Sequence, residues 1–216
     1  MNKIWIIFCL CLFVGAPLAA QEYTVVRGER QFADLGNWGA YSGGEMTLGL
    51  GMAQSPSGPK GGGDYTKPGA VLGTAALVDM LPFLSTGAEY NYAAFRTPAA
   101  VRGTEYTLQT QEVFGLFKFK WNVAKNFRVY APLGVGGAWL RLTRRQAGEE
   151  SFRDKWAVAA TAGAGVEVDL SPTYFIGAEY RYVLPFIQTA DLDPANGTSR
   201  YLQMHHFFVR IGKRFF

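Results

Sequence analysis

The chain has 216 residues, of which 49% are hydrophobic and only 18% charged, with 26 glycines, 15% aromatics and two cysteines. That much apolar surface must be buried, which excludes a disordered chain, and the glycines and apolar residues keep neither a collagen triplet nor a heptad. The formal charge of +4 comes from Lys and Arg scattered singly or in pairs such as Arg144-Arg145 and Lys213-Arg214. No basic stripe tracks phosphates, so no nucleic-acid partner is expected.

The first 20 residues read as a cleaved secretory signal. Lys3 supplies the positive start, Ile4 to Val14 is unbroken apolar sequence, and Gly15 to Ala20 is a small-residue exit into Gln21-Glu22. The rival is a membrane anchor, since Ile4 to Ala20 is just long enough to span. Both cysteines, Cys9 and Cys11, fall inside this segment, so the exported chain would be held by burial and hydrogen bonds alone. Residues 21–40 precede the first clear strand and carry Tyr23-Thr24-Val25-Val26 and a charged run, Arg27 to Arg30. A loosely held tail and a partner-binding arm both fit them.

Past residue 20 no apolar run is long enough for a membrane helix. Period-2 alternation takes its place. In Tyr41 to Gln54, Met46, Leu48, Leu50 and Met52 alternate with Glu45, Thr47, Gly49, Gly51 and Ala53. The pattern returns over roughly 70–79, 85–95, 106–121, 127–142, 155–169, 174–186 and 201–216, which predicts eight strands in residues 41–216. Met80 to Leu84, Asn122 to Asn126 and Leu170 to Thr173 are short turns; Ser55 to Gly69, Arg96 to Glu105, Thr143 to Asp154 and Ile187 to Arg200 are longer and polar. Short and long connections alternate, as in an up-and-down transmembrane β-barrel with tight turns at the periplasmic rim and long loops outside. Residues 21–40 would then lie on the periplasmic side.

Period alone does not say which face points outward. If the large apolar set faced inward, water would meet strand middles made of Gly and Ala, such as Gly49, Gly51, Ala157, Ala159 and Gly163. With that set outward, Met46, Leu48, Leu50, Tyr90, Tyr92, Phe117, Phe119, Val135, Val158, Ile176, Tyr180, Val209 and Ile211 meet lipid. Trp38, Tyr41, Trp121, Phe127, Trp139, Tyr174 and Phe215 then mark the interfaces. The inward set holds Glu45, Glu89, Glu112, Lys118, Lys120, Glu167, Glu179, Arg181 and Arg210, charges that must pair in so narrow a space. The expectation is an all-β, eight-stranded antiparallel barrel with a side-chain-filled lumen and no open channel.

An export signal, eight amphipathic strands, the Gly-rich stretch Leu133-Gly134-Val135-Gly136-Gly137 and a last strand ending in Phe215-Phe216 resemble the small outer-membrane barrels of the OmpA and OmpX type, the porin-family barrel domain. The resemblance implies residence in the cell outer membrane, contact with its lipid and lipopolysaccharide, and insertion by the barrel assembly machinery. That machinery would read Phe207, Val209, Ile211, Phe215 and Phe216, although Phe216 sits one place out of the alternation.

Local catalytic patterns fail on context. Ser57-Gly58-Pro59-Lys60 lacks the helix start that an S-x-x-K nucleophile needs, Gly61-Gly62-Gly63-Asp64 lacks the Lys-Ser/Thr of a phosphate loop, and Asn196-Gly197-Thr198 reads as a turn. His205 and His206 are adjacent on one strand, point to opposite faces and cannot chelate one metal together. Some eight-stranded barrels are lipid A deacylases with a His-x-Ser pair; here His205-His206-Phe207 lacks the serine, and both histidines read as rim residues at the long-loop end. No cofactor, metal site or catalytic residue is expected. The sequence reads as a non-enzymatic barrel that structures the membrane and displays four outer loops to an envelope or host protein. The alternatives are a lipid A-modifying enzyme, a small channel and a subunit of an envelope complex.

Overall fold

The computed structural model describes residues 43–55, 65–96, 104–146, 148–192 and 199–215. The signal, residues 21–40, Trp38, Tyr41, Phe216, most of the first two long loops and Asn196-Gly197-Thr198 lie outside them. Eight strands, β1 (Gly44–Ser55), β2 (Tyr65–Leu81), β3 (Leu84–Arg96), β4 (Thr104–Ala124), β5 (Phe127–Gln146), β6 (Glu149–Asp169), β7 (Tyr174–Pro185) and β8 (Met204–Phe215), pair antiparallel in chain order and close into a barrel. Pairing of β1 with β8, from Gly44 opposite Phe215 to Gln54 opposite His205, closes the ring. Closure leaves no sheet edge facing hydrocarbon, where an unpaired amide has no water to turn to.

Turns at one rim are tight. Pro82-Phe83 joins β2 to β3 and Lys125-Asn126 joins β4 to β5. Before β7, the Ser171 hydroxyl accepts the Thr173 and Tyr174 amides at 3.3 and 3.0 Å. At the other rim the wall is uneven. β7, β8 and β1 have 12 residues each, whereas β4, β5 and β6 have 20 or 21. The third outer connection, expected as a loop over Thr143 to Asp154, is instead strand almost to its tip. Arg144 pairs with Ser151, Arg145 with Glu150 and Gln146 with Glu149, and the turn at Gly148 uses the positive φ of 86° that glycine adopts freely. Apart from Phe152 both faces of its outer part are polar, so the alternation has little hydrophobic contrast and looks like loop in the sequence.

The faces sort as the alternation requires. Met46, Leu48, Leu50, Val113, Phe117, Val135, Val158, Ile176, Val209 and Ile211 point out, while Glu45, Glu89, Glu167, Glu179 and Arg210 are buried. At the short-turn rim Trp121, Phe127, Tyr174 and Phe215 form an exposed aromatic ring; Trp139 lies elsewhere, opposite Trp156 far up the β5–β6 hairpin. Gly165 leaves room inside the barrel for the Tyr130 ring, which occupies the space a Cβ would need.

The interior is not small and ionic throughout, as the sequence suggested. Its outer half is an apolar core in which Phe95, Leu108, Leu140, Val183, Leu202 and Met204 are sealed from solvent. The connection from β7 to β8 completes it. A single helical turn, α1 (Thr189–Leu192), and the bridge between Gln188 and Tyr201 fold Ile187, Leu192 and Leu202 onto this core. Each buried aliphatic or aromatic side chain contributes about 1.5–3 kcal/mol relative to exposure in water.

Candidate functional site

Below the apolar core the inward positions of all eight strands converge on two layers of charge. In the upper layer Arg181 reaches Glu89 at 2.9 Å and Glu179 at 2.7 Å, and Arg210 reaches the same two carboxylates at 3.2 and 2.9 Å. Tyr130 donates to Glu179 at 2.8 Å and the Asn91 amide to Glu89 at 2.7 Å. Two guanidinium groups face two carboxylates with most lone pairs occupied, which is the condition under which buried ions are tolerated. The Arg210 guanidinium also lies 4.3 Å from the centre of the Phe208 ring.

The lower layer lies at the short-turn rim. Lys118 sits between Glu45 and Glu167. Arg214 holds Glu167 at 3.0 Å and Asp169 at 2.6 Å, Arg128 adds a contact to Glu167 at 3.5 Å, and Lys120 meets Asp79 at 2.5 Å. The Ser85 hydroxyl donates to Asp79 at 2.6 Å. Every charged group of these layers is therefore engaged, and the bore is filled with side chains.

Glu112, the remaining inward carboxylate, belongs to neither layer. It sits above the upper one, fully buried, accepting the Thr110 hydroxyl at 2.9 Å, with Nε2 of His206 3.7 Å away. His206 is not a rim residue. It lies wholly inside, tilted on Phe95 at 6.3 Å and edge-on to Phe208 at 5.9 Å. His205 faces outward, its Nδ1 2.7 Å from the Tyr180 hydroxyl and its ring 5.3 Å from Tyr182.

The inward charges that sequence reasoning missed, Asp79, Arg128, Asp169 and Arg214, stand at strand ends, where the hydrophobic contrast fades. Parity finds two of them from inward residues of the same strand, Arg214 from Arg210 and Asp169 from Glu167, and Arg128 from the outward Val135, whereas no residue of β2 had been assigned a face from which to place Asp79. The same rule places Tyr106 and Leu108 inside with Glu112, and His206 inside with Arg210. Phe207, Val209, Ile211 and Phe215 all lie on the outward face of β8. Among the described residues no group of His, Cys, Asp and Glu is placed to hold a metal ion.

A second surface rises outside the bore. Twelve residues separate Phe127 from Trp139 on β5, about 30 Å at the usual rise and tilt of a membrane strand, so the Trp139–Trp156 pair marks the far side of the apolar band. Above it the outward face of the β5–β6 hairpin carries a ladder. Arg141 binds Asp154 through two bonds of 2.8 and 2.9 Å, Phe152 lies opposite Thr143, and Arg145 meets Glu150 at 3.0 Å. The hydrogen bonds from Arg141 hold the Asp154 carboxyl below its ordinary value. The inward face carries Arg144, Arg153 and Lys155. Pairing with β7 stops at Ala159 opposite Pro185, so among the described residues no strand covers the β6 edge over Glu149 to Ala157.

Comparison with known proteins agrees with this architecture. Residues 7–208 match the family model of the outer membrane protein beta-barrel domain. No curated protein matches the sequence. Among solved structures, Neisserial surface protein A is 14% identical, with a TM-score of 0.56 over 80% of this chain and 97% of its own. A major outer membrane protein from Thermus thermophilus is 10% identical, with a TM-score of 0.54 over 80% and 99%. At these identities the likeness is one of fold. The lipid-faced wall, the paired charges of the bore and the matched model lead to one conclusion: the chain belongs to the outer membrane protein β-barrel domain family and resides in the outer membrane.

Proposed function

We propose that this protein is a non-enzymatic barrel that stiffens the outer membrane and presents an interaction surface beyond it. The observation that carries this is the tall wall of β4, β5 and β6. Paired from Thr104 opposite Gln146 and from Gln146 opposite Glu149, the three strands stand well above the short wall of β7, β8 and β1 and offer a β6 edge that no other strand pairs with among the described residues. An exposed strand edge supplies a row of backbone donors and acceptors to which an extended partner segment can add, and soluble proteins usually hide such edges. Phe152 and Trp156 stand beside that edge, 67% and 70% exposed, at the height where an anchor for a partner or a lipopolysaccharide headgroup is useful. The charges of the outward face neutralise one another in the Arg141–Asp154 and Arg145–Glu150 pairs, which leaves the edge and its aromatics as the adhesive features.

The lipid A-modifying alternative would draw on His205, the outward histidine. Its hydrogen-bond partner is the Tyr180 hydroxyl, and Phe207 occupies the position two places on where a nucleophilic serine would stand. The test is removal of the hairpin tip, residues 144–153, with a short turn in its place. The expected result is normal insertion and heat-modifiable mobility, with loss of adherence of the bacterial cells to host cells or matrix. Unchanged adherence, or hydrolysis of labelled lipid A that is lost in His205→Ala, would overturn the proposal.

A further inference from the structure

We infer that the sealed bore binds one proton, held jointly by Glu112 of β4 and His206 of β8. Six of the seven carboxylates that face the bore among the described residues touch a Lys or Arg; Glu112 does not. Six permanent cations serve those six carboxylates, so Glu112 stands as one negative charge beyond balance.

Among the described residues, the charged groups nearest to it are already paired with one another. Glu89 from β3, Glu179 and Arg181 from β7 and Arg210 from β8 form a closed set of two anions and two cations directly beneath. Asn91 stands beside it on β3 and Thr110 on its own strand. The strands from the remaining directions present Ala53, Val71, Ala138 and Ala159 at this height, none of them titratable. His205, next in the chain, faces outward. Above lies the apolar core with Phe95 and Leu140.

A bare carboxylate enclosed without a counter-ion is expensive enough that the group takes up a proton instead. Two sites are available: the carboxyl itself, or the imidazole ring 3.7 Å from it. Oε2 of Glu112 and both ring nitrogens of His206 meet no hydrogen-bond partner among the described residues, so either placement gains a new donor without breaking an existing bond. Whichever atom carries the proton, the pair is electrically balanced with it and short of it by one charge without it.

In the unfolded chain a glutamate releases its proton near pH 4.3 and a histidine near about 6.5, so above roughly pH 7 the folded barrel binds one proton more than the unfolded chain. Stability therefore falls as pH rises through the alkaline range, with the unfolding constant growing by up to about tenfold per pH unit until the proton is lost.

The experiment is denaturant unfolding of the refolded full-length barrel in detergent micelles, from about pH 6 to about pH 10, for the wild type and Glu112→Gln, a neutral isostere. The wild type is expected to lose stability with the slope of one proton, and Glu112→Gln to lose that slope. Equal slopes in the two proteins would overturn the inference, as would a wild-type slope replaced by dependence on sodium concentration. Should Glu112→Gln fail to fold, the folded wild type decides. An infrared band of a protonated carboxyl, or an imidazolium nitrogen resonance from His206, at neutral pH supports the shared proton, and the absence of both contradicts it.

Discussion

The two halves of the bore are closed by opposite means. Toward the short-turn rim, charged groups cross from strand to strand and lock the wall through directional contacts such as Arg181 to Glu89 and Arg214 to Asp169. Toward the outer rim, Phe95, Leu108, Leu140, Leu202 and Met204 close the same cylinder by packing, with α1 and Ile187 folded on top. Strand alternation thus fixes which residues enter the bore and leaves the chemistry of the filling free. Ions hold strands in register but fail when one partner is removed; apolar packing has no such partners and fails by forming a cavity.

The ionic half is the more sensitive to loss of a single side chain. Arg181→Leu removes a guanidinium shared by Glu89 and Glu179 and leaves Arg210 alone against two buried carboxylates, so it should cost about 3–5 kcal/mol of stability, read as the denaturant midpoint in micelles. A cost below about 1 kcal/mol, the range of exposed pairs, would mean that water reaches the layer. In the apolar half, Leu140→Ala should cost about 2–5 kcal/mol through lost burial and a residual cavity, without altering the pH dependence assigned to Glu112 and His206. A change in that pH dependence would mean that the core does not screen the pair from the outer rim.

Much of this was legible in the sequence because a membrane barrel enforces a period of two more strictly than most folds. The outward set from Met46 to Ile211, the tight turns and the inward placement of Glu89, Glu179, Arg181 and Arg210 follow from that period together with the cost of a charge in hydrocarbon. Three features were not legible. The β5–β6 hairpin projects beyond the apolar band, where lipid no longer imposes contrast, so Thr143 to Asp154 reads as polar loop. Tyr106 and Leu108 lie inside although apolar, so they blur the contrast between the two faces of β4, and only their parity with Glu112 assigns them. The burial of Ile187 and Leu192 depends on a long connection folding back over the rim, a tertiary event with no local period.

Two unlike fillings seal one cylinder along its length. Single-channel recording of the refolded wild-type barrel in a planar lipid bilayer tests it most directly. The account predicts a silent membrane, with no stepwise current on addition of folded protein. Stable, repeated conductance steps at neutral pH would show an open path for ions through both layers and would contradict it.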